Sequence, residues 1–126
     1  MNSPTEPNGP AIDIQNIANH LVVKFNPAAL GADDVKFITV QLSGAIQNLA
    51  NAGAGRYVVL DFTGVPLLSS IGLGMCVDIY HCAQKYGRKC ATYGLQSRTL
   101  ELFHLMHLDR MYENLSTQTQ LQERLV

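Results

Sequence analysis

Tyr57-Val58-Val59-Leu60-Asp61-Phe62, followed by Thr63-Gly64-Val65-Pro66-Leu67-Leu68-Ser69-Ser70-Ile71-Gly72-Leu73-Gly74, is the stretch that decides the fold. Its first six residues are almost continuously apolar, the pattern of a strand covered on both faces. Thr63-Gly64-Val65-Pro66 interrupts the run as a turn. From Leu67 the chain leads into a helix that continues to about Tyr86 and stops at Gly87. On its wheel Ile71, Met75, Ile79, Cys82, Ala83 and Tyr86 cluster, while Asp78, His81, Gln84 and Lys85 take the other side. Leu73, Val77 and Tyr80 widen the apolar arc past what one core face requires.

Working outward, Ala11 to Ala18 alternates weakly between apolar and polar residues, and Leu21 to Phe25 is β-branched and apolar. With a tight turn at Asn19-His20 they predict an opening hairpin, broken by Asn26-Pro27. Val35, Ile38, Leu42, Ala45, Ile46 and Leu49 form one helical stripe. Asp33 and Asp34 suit the start of that helix, where free N–H groups and the dipole favour acids, and Gly53 and Gly55 stop it. Arg88 to Tyr93 reads as a strand. Ser97 is the expected cap of a helix over Thr99 to Met106, with Leu100, Phe103 and Leu105 or Met106 as its stripe. Met111 to Leu115 reads as a short edge strand, and Ser116 or Thr117 as the cap of a last helix, Gln118 to Leu125. The order is β-β-α-β-α-β-α-(β)-α. Alternating strands and helices imply an α/β fold: a mixed sheet of four to five strands, parallel at its centre, with an antiparallel hairpin at one edge.

The chain has 126 residues, 47% hydrophobic and 15% charged, which suits one domain over 11–126 after a polar, proline-bearing lead-in at 1–10 expected to be disordered. Nine Lys and Arg against ten Asp and Glu leave a net charge of −1, so charge supplies no reason to expect nucleic acid or a membrane surface as partner. No apolar run reaches the roughly 18 to 20 residues of a membrane span, and the lead-in lacks the features of a signal peptide. The three cysteines, Cys76, Cys82 and Cys90, are too sparse and odd in number for a disulfide framework, which points to a reducing compartment, the cytoplasm. They lack Cys-x-x-Cys spacing and read as small core hydrophobes.

The chemistry concentrates at Leu68 to Gly74, where the end of a buried strand meets a helix start. Open α/β sheets place their ligands there. A serine at this point has two readings: an ordinary N-cap worth about 1 kcal/mol, or a phosphoacceptor whose product adds roughly −1.5 to −2 charges at a helix tip. Gly72-Leu73-Gly74 is not a dinucleotide loop, since the third glycine of that fingerprint would fall at Val77. No Gly-Lys-Ser/Thr follows. No Gly-x-Ser-x-Gly elbow surrounds Ser69 or Ser70, and no spacing selects His81, His104 or His107 as their base. Glu101, His104 and His107 recur at intervals of three, which reads as a polar helix face with one histidine half-buried rather than as a metal site. Asp33-Asp34 reads as helix-start charge. No metal, no cofactor and no enzyme is expected from these residues.

The stretch Val58 to Gly74 resembles the signature of STAS domains, found in anti-sigma factor antagonists and in relatives attached to sulfate transporters. The family pattern is a hydrophobic strand with Asp, then Asp-Ser-x-Gly-Leu-Gly. A second match is Leu102-Phe103-His104-Leu105-Met106-His107-Leu108-Asp109-Arg110-Met111-Tyr112, similar to the family's helix and Leu-Asp segment before the last strand. The resemblance covers about Leu21 to the C-terminus. Alignment on Gly72 and Leu73 puts the family's phosphorylated serine at Ser70, with Ser69 as the alternative. Ser69 stands where the family carries Asp, and Asn26-Pro27-Ala28-Ala29-Leu30 stands where it carries Gly-x-Leu-Asp.

The resemblance implies an interaction switch. The unphosphorylated form binds an anti-sigma factor kinase, phosphorylation at Ser70 releases it, and a PP2C-type phosphatase resets it. The implied contact residues are Ser69, Ser70, Ile71, Gly72, Leu73, Gly74, Val77 and Tyr80, with Asn26 and Pro27 beside them. The wide apolar arc leaves room for a homodimer. Two alternatives stand: a STAS scaffold or transporter-associated subunit that is never phosphorylated, and a small nucleotide-binding protein or hydrolase using the Ser69/Ser70 helix start.

Overall fold

Three parallel crossovers and one hairpin build the molecule. The computed structural model describes residues 11–27 and 30–126. The lead-in expected over Met1 to Pro10 lies outside the described residues, as do Ala28 and Ala29 of the segment after the second strand. The elements are β1 (Ile12–Ile17), β2 (His20–Phe25), α1 (Ala32–Asn48), β3 (Tyr57–Asp61), α2 (Ser70–Lys85), β4 (Lys89–Tyr93), α3 (Ser97–Leu105), β5 (Glu113–Leu115) and α4 (Gln118–Arg124). Short 3-10 turns at Ala50–Ala52 and Leu108–Arg110 precede β3 and β5.

The five strands lie in the order β1-β2-β3-β4-β5. The first pair is antiparallel and the rest are parallel, as the alternation of strands and helices requires. Each crossover moves one strand in the same direction across the sheet. Right-handed connections therefore stack α1, α2 and α3 on one face. That face holds the main core: Leu21, Val23, Val58 and Leu60 from the strands, Ile38, Leu42 and Ile46 from α1, and Met75, Cys76 and Ile79 from α2. The opposite face carries a smaller cluster of Val59, Ala91 and Leu115, with Leu121 and Leu125 from the α4 end packed against it. Arg124 holds α4 to β5 through Glu113, Nη2 to Oε2 at 2.6 Å.

Several boundaries differ from those the sequence suggests. The hairpin turn falls at Ala18-Asn19, both with positive φ, so His20 opens β2 instead of turning. Ser97 is the first residue of α3 and Gln96 its N-cap. Thr117, not Ser116, caps α4, accepting from the Gln120 N–H at 3.2 Å. The apolar excess of α2 is absorbed inside the molecule. Leu73 is only 4% exposed, and Val77 and Tyr80 are half-buried against the core. The reason is geometric: α2 is the middle helix of three on one sheet face, so it needs a wider apolar arc than a helix with one neighbour. Ile71, expected on the core face, is instead 47% exposed. It lies one heptad before Asp78, on nearly the same line along the helix.

Candidate functional site

The end of β3 and the start of α2 form the site. Asp61 closes the strand by accepting the Thr63 N–H on Oδ1 at 2.9 Å, a short side-chain turn. The backbone then ties back to β4, Phe62 N–H to Tyr93 O at 2.8 Å. Gly94, with φ +77°, permits that closeness: a Cβ there would fall 2.8 Å from the Thr63 nitrogen. Past the turn the chain buries two side chains and exposes the two between them. Val65 and Leu68 go into the core, 2% and 3% exposed, while Pro66 and Leu67 face out.

The two serines at the helix start have different surroundings. Ser69 is the N-cap, and its Oγ accepts the Gly72 N–H at 3.2 Å. Ser70 is the first helical residue and is exposed. Both serines are exposed, but the hydroxyl of Ser69 is engaged in holding the helix, while that of Ser70 makes no hydrogen bond among the described residues. Gly72 lies close against Leu68: a Cβ there would sit 3.0 Å from Leu68 Cδ2, which would have to shift. Gly74 has open space around it. Leu67 and Ile71, 48% and 47% exposed, flank the serine pair with apolar surface. The first turn of α2 contains no acidic side chain, so the dipole there is uncompensated.

The loop after β2 comes alongside. Asn26 donates its backbone N–H to Ala11 O at 2.9 Å, and Pro27 Cγ lies 3.7 Å from the space beside Gly64. The structure therefore brings Asn26, Pro27, Ser69, Ser70, Ile71 and Gly74 to one end of the sheet. Leu73, Val77 and Tyr80 lie behind them in the packing. Leu67 went unnoticed in the sequence, where Val65-Pro66-Leu67-Leu68 carries no periodicity that marks it as exposed.

The remaining candidates lie elsewhere. Glu101, His104 and His107 are all exposed, so none of these histidines is half-buried as expected. His107 lies beyond α3 at φ +59°, and His104 Nδ1 meets Asp109 Oδ2 at 3.0 Å. Burial pushes the Cys76 and Cys90 thiols up to about 12, so both remain protonated packing groups. At the opposite end of the sheet are two buried polar residues the sequence did not single out. His20 is 2% exposed, and its Nδ1 accepts the Tyr57 N–H at 2.9 Å. Arg88 is 5% exposed and donates from Nη1 to Asn19 O at 2.9 Å and Tyr57 O at 3.3 Å.

A five-stranded mixed sheet with three helices on one face and a capped helix start at its end defines a small α/β domain. The STAS domain family profile matches residues 12–123, and the chain belongs to that family. Its fold is similar to that of an anti-sigma-factor antagonist (STAS) domain protein from Planctomyces limnophilus, at TM-score 0.74 and 19% identity, covering 90% of this chain and 97% of that one. It is also similar to TM1081 of Thermotoga maritima, at TM-score 0.70 and 18% identity, covering 90% and 93%. The Bacillus cell-fate determinant SpoIIAA in its phosphorylated form matches at TM-score 0.66 and 16% identity, covering 92% and 100%. No curated protein sequence matches the chain. Among the described residues no helix is long and apolar enough to cross a membrane.

Proposed function

We infer that this STAS domain is a cytoplasmic, non-enzymatic interaction switch of the anti-sigma factor antagonist type. It binds an anti-sigma factor kinase through the α2 start and the adjoining loops, and phosphorylation at Ser70 releases it. A PP2C-type phosphatase restores the binding form. The observation that carries this reading is the division of labour between the serines: Ser69 Oγ is spent on the Gly72 N–H, and Ser70 is exposed beside it.

Physical chemistry supplies the switch. Leu67 and Ile71 offer apolar surface on either side of Ser70. A phosphate adds about −1.5 to −2 charges there. Docked against an apolar partner it would lose its water without gaining a counter-charge, and binding would weaken. The same charge sits favourably at a helix N-terminus, so the fold tolerates it.

The test is binding to a cognate histidine-kinase-like ATPase. Ser70→Ala should bind like the wild type, and Ser70→Asp should lose about tenfold or more in affinity. Equal binding of the two variants refutes the switch. Leu67→Ser and Ile71→Ser should weaken binding and slow phosphate incorporation at Ser70 by the same kinase.

A further inference from the structure

α1 carries an uncharged strip on its outer face with two exposed large apolar side chains. Phe37 is 46% exposed and Val40 73%. Gly44 follows seven residues after Phe37, and a Cβ built on it would meet no atom within 4 Å. The outward line of Phe37, Val40, Gln41, Gly44, Gln47 and Asn48 contains no charge. A glycine in a helix interior is unfavourable relative to alanine, and no close approach within the described chain requires this one.

The strip is self-complementary. Set two copies of α1 antiparallel, with the two-fold axis between Val40 and Gln41. Phe37 of each copy then lies opposite Gly44 of the other, a large side chain over a site with no side chain. Val40 meets Gln41 at the centre. Antiparallel helices also oppose their dipoles favourably.

The charges at the two ends of the molecule agree with this arrangement. Asp33 and Asp34 stand at the start of α1. Asp34 is used in the helix cap through Gly31 N–H, while Asp33 is exposed and takes no part in that cap. At the other end of α1, Gln47 shares a groove with Lys85, in the last turn of the neighbouring α2. Because α1 and α2 follow parallel strands, they run side by side in the same direction. The antiparallel pairing brings Asp33 of one copy to the level of Asn48 of the other, and so toward Lys85. Opposite charges meet there, while the two Lys36 side chains lie about 13 Å apart along the axis, given 1.5 Å per residue.

We propose that the outer face of α1 is a homodimer interface, in which Phe37 packs over Gly44 of a second copy and Asp33 faces its Lys85. One helix pair buries less than the roughly 800 Å² per partner of a standard interface, so the dimer is weak and concentration-dependent. The proposal stands independently of any role for Ser70, since α2's first turn takes no part in the pairing.

Sedimentation velocity from about 1 μM to 1 mM spans the range of such weak contacts. The mass of the wild type should rise from 13.8 kDa toward twice that value. Phe37→Ser should raise the dissociation constant about tenfold or more. Gly44→Glu should do the same while raising the melting temperature, because a helix gains from losing its glycine; that pairing of effects separates lost association from lost folding. Asp33→Lys should weaken the dimer, and adding Lys85→Glu should restore it. Val40→Cys in a Cys82→Ser background should cross-link on oxidation. A wild type that stays monomeric at 1 mM overturns the proposal. So does a Gly44→Glu variant that associates as the wild type does, or a charge swap that restores nothing.

Discussion

The two ends of the sheet are built in opposite ways. At the end where the parallel strands begin, polar side chains are buried and spent on backbone. Arg88 reaches across to Asn19 O and Tyr57 O, and His20 accepts from Tyr57 N–H. These contacts clamp the hairpin turn, the strand start and the α2–β4 turn together. At the end where the strands finish, the backbone is held by its own geometry, through Gly94 against Thr63 and the Asp61 turn. The side chains there, Leu67, Ser70 and Ile71, are left facing outward. One end buries its polar side chains against backbone, and the other leaves apolar side chains and one unbonded hydroxyl exposed.

The sharpest way to break that contrast is at Gly94. Its φ of +77° and the nearby Thr63 backbone leave no room for a side chain. Gly94→Ala should therefore cost about 3 kcal/mol or more, read as a shift in the urea midpoint at constant slope. Arg88→Ala comes next. It strips the Asn19 carbonyl of its donor and opens a void over Gly53, whose Cα side lies against the guanidinium. The expected loss is about 2 to 3 kcal/mol. It should be softened because Arg88 Nε and Nη2 have no hydrogen-bond partner among the described residues.

His20 tests the same end through pH. Burial, followed by the nearby Arg56 and Arg88, holds its pKa below the ordinary 6.5. The unfolded chain therefore takes up a proton on His20 at a pH where the folded chain does not. Stability from this group is full above about pH 6.5 and declines as pH falls from there toward the folded value. Urea midpoints measured between about pH 5 and 8 should show that decline, and His20→Gln should flatten it. The smallest effects belong to the exposed end. Ser69→Ala should cost about 1 kcal/mol through its lost cap, whereas Ser70→Ala should lie within about 0.5 kcal/mol of wild type. Equal costs for the two serines would erase the distinction between them.

Much of this was legible in the residues. The uninterrupted apolar run at Val58 to Leu60 announces a strand covered on both sides, and the stripe from Val35 to Ile46 announces α1. What escaped the sequence depended on tertiary neighbours. The hairpin turn falls one residue earlier than expected, because Ala18 as well as Asn19 takes positive φ, and an alanine does not advertise that conformation. Arg88 looked like an ordinary polar strand residue, and only the convergence of Asn19, Tyr57 and Gly53 buries it. The width of the α2 arc was visible but ambiguous, because a middle helix and a docking helix both need one. At the candidate site, local chemistry alone did not say which serine caps the helix, since either hydroxyl suits a cap, and only the family resemblance pointed to Ser70 as the phosphoacceptor. The helix boundary makes Ser69 the cap and Ser70 the first helical residue.

That boundary has a consequence for any enzyme acting on this site. In a free peptide spanning Pro66 to Gly74, the two adjacent hydroxyls are chemically equivalent targets. In the folded chain one of them is tethered to Gly72 and the other is free. An enzyme that modified Ser70 and spared Ser69, as proposed, would obtain that discrimination in three dimensions, by reading the intact domain as its substrate.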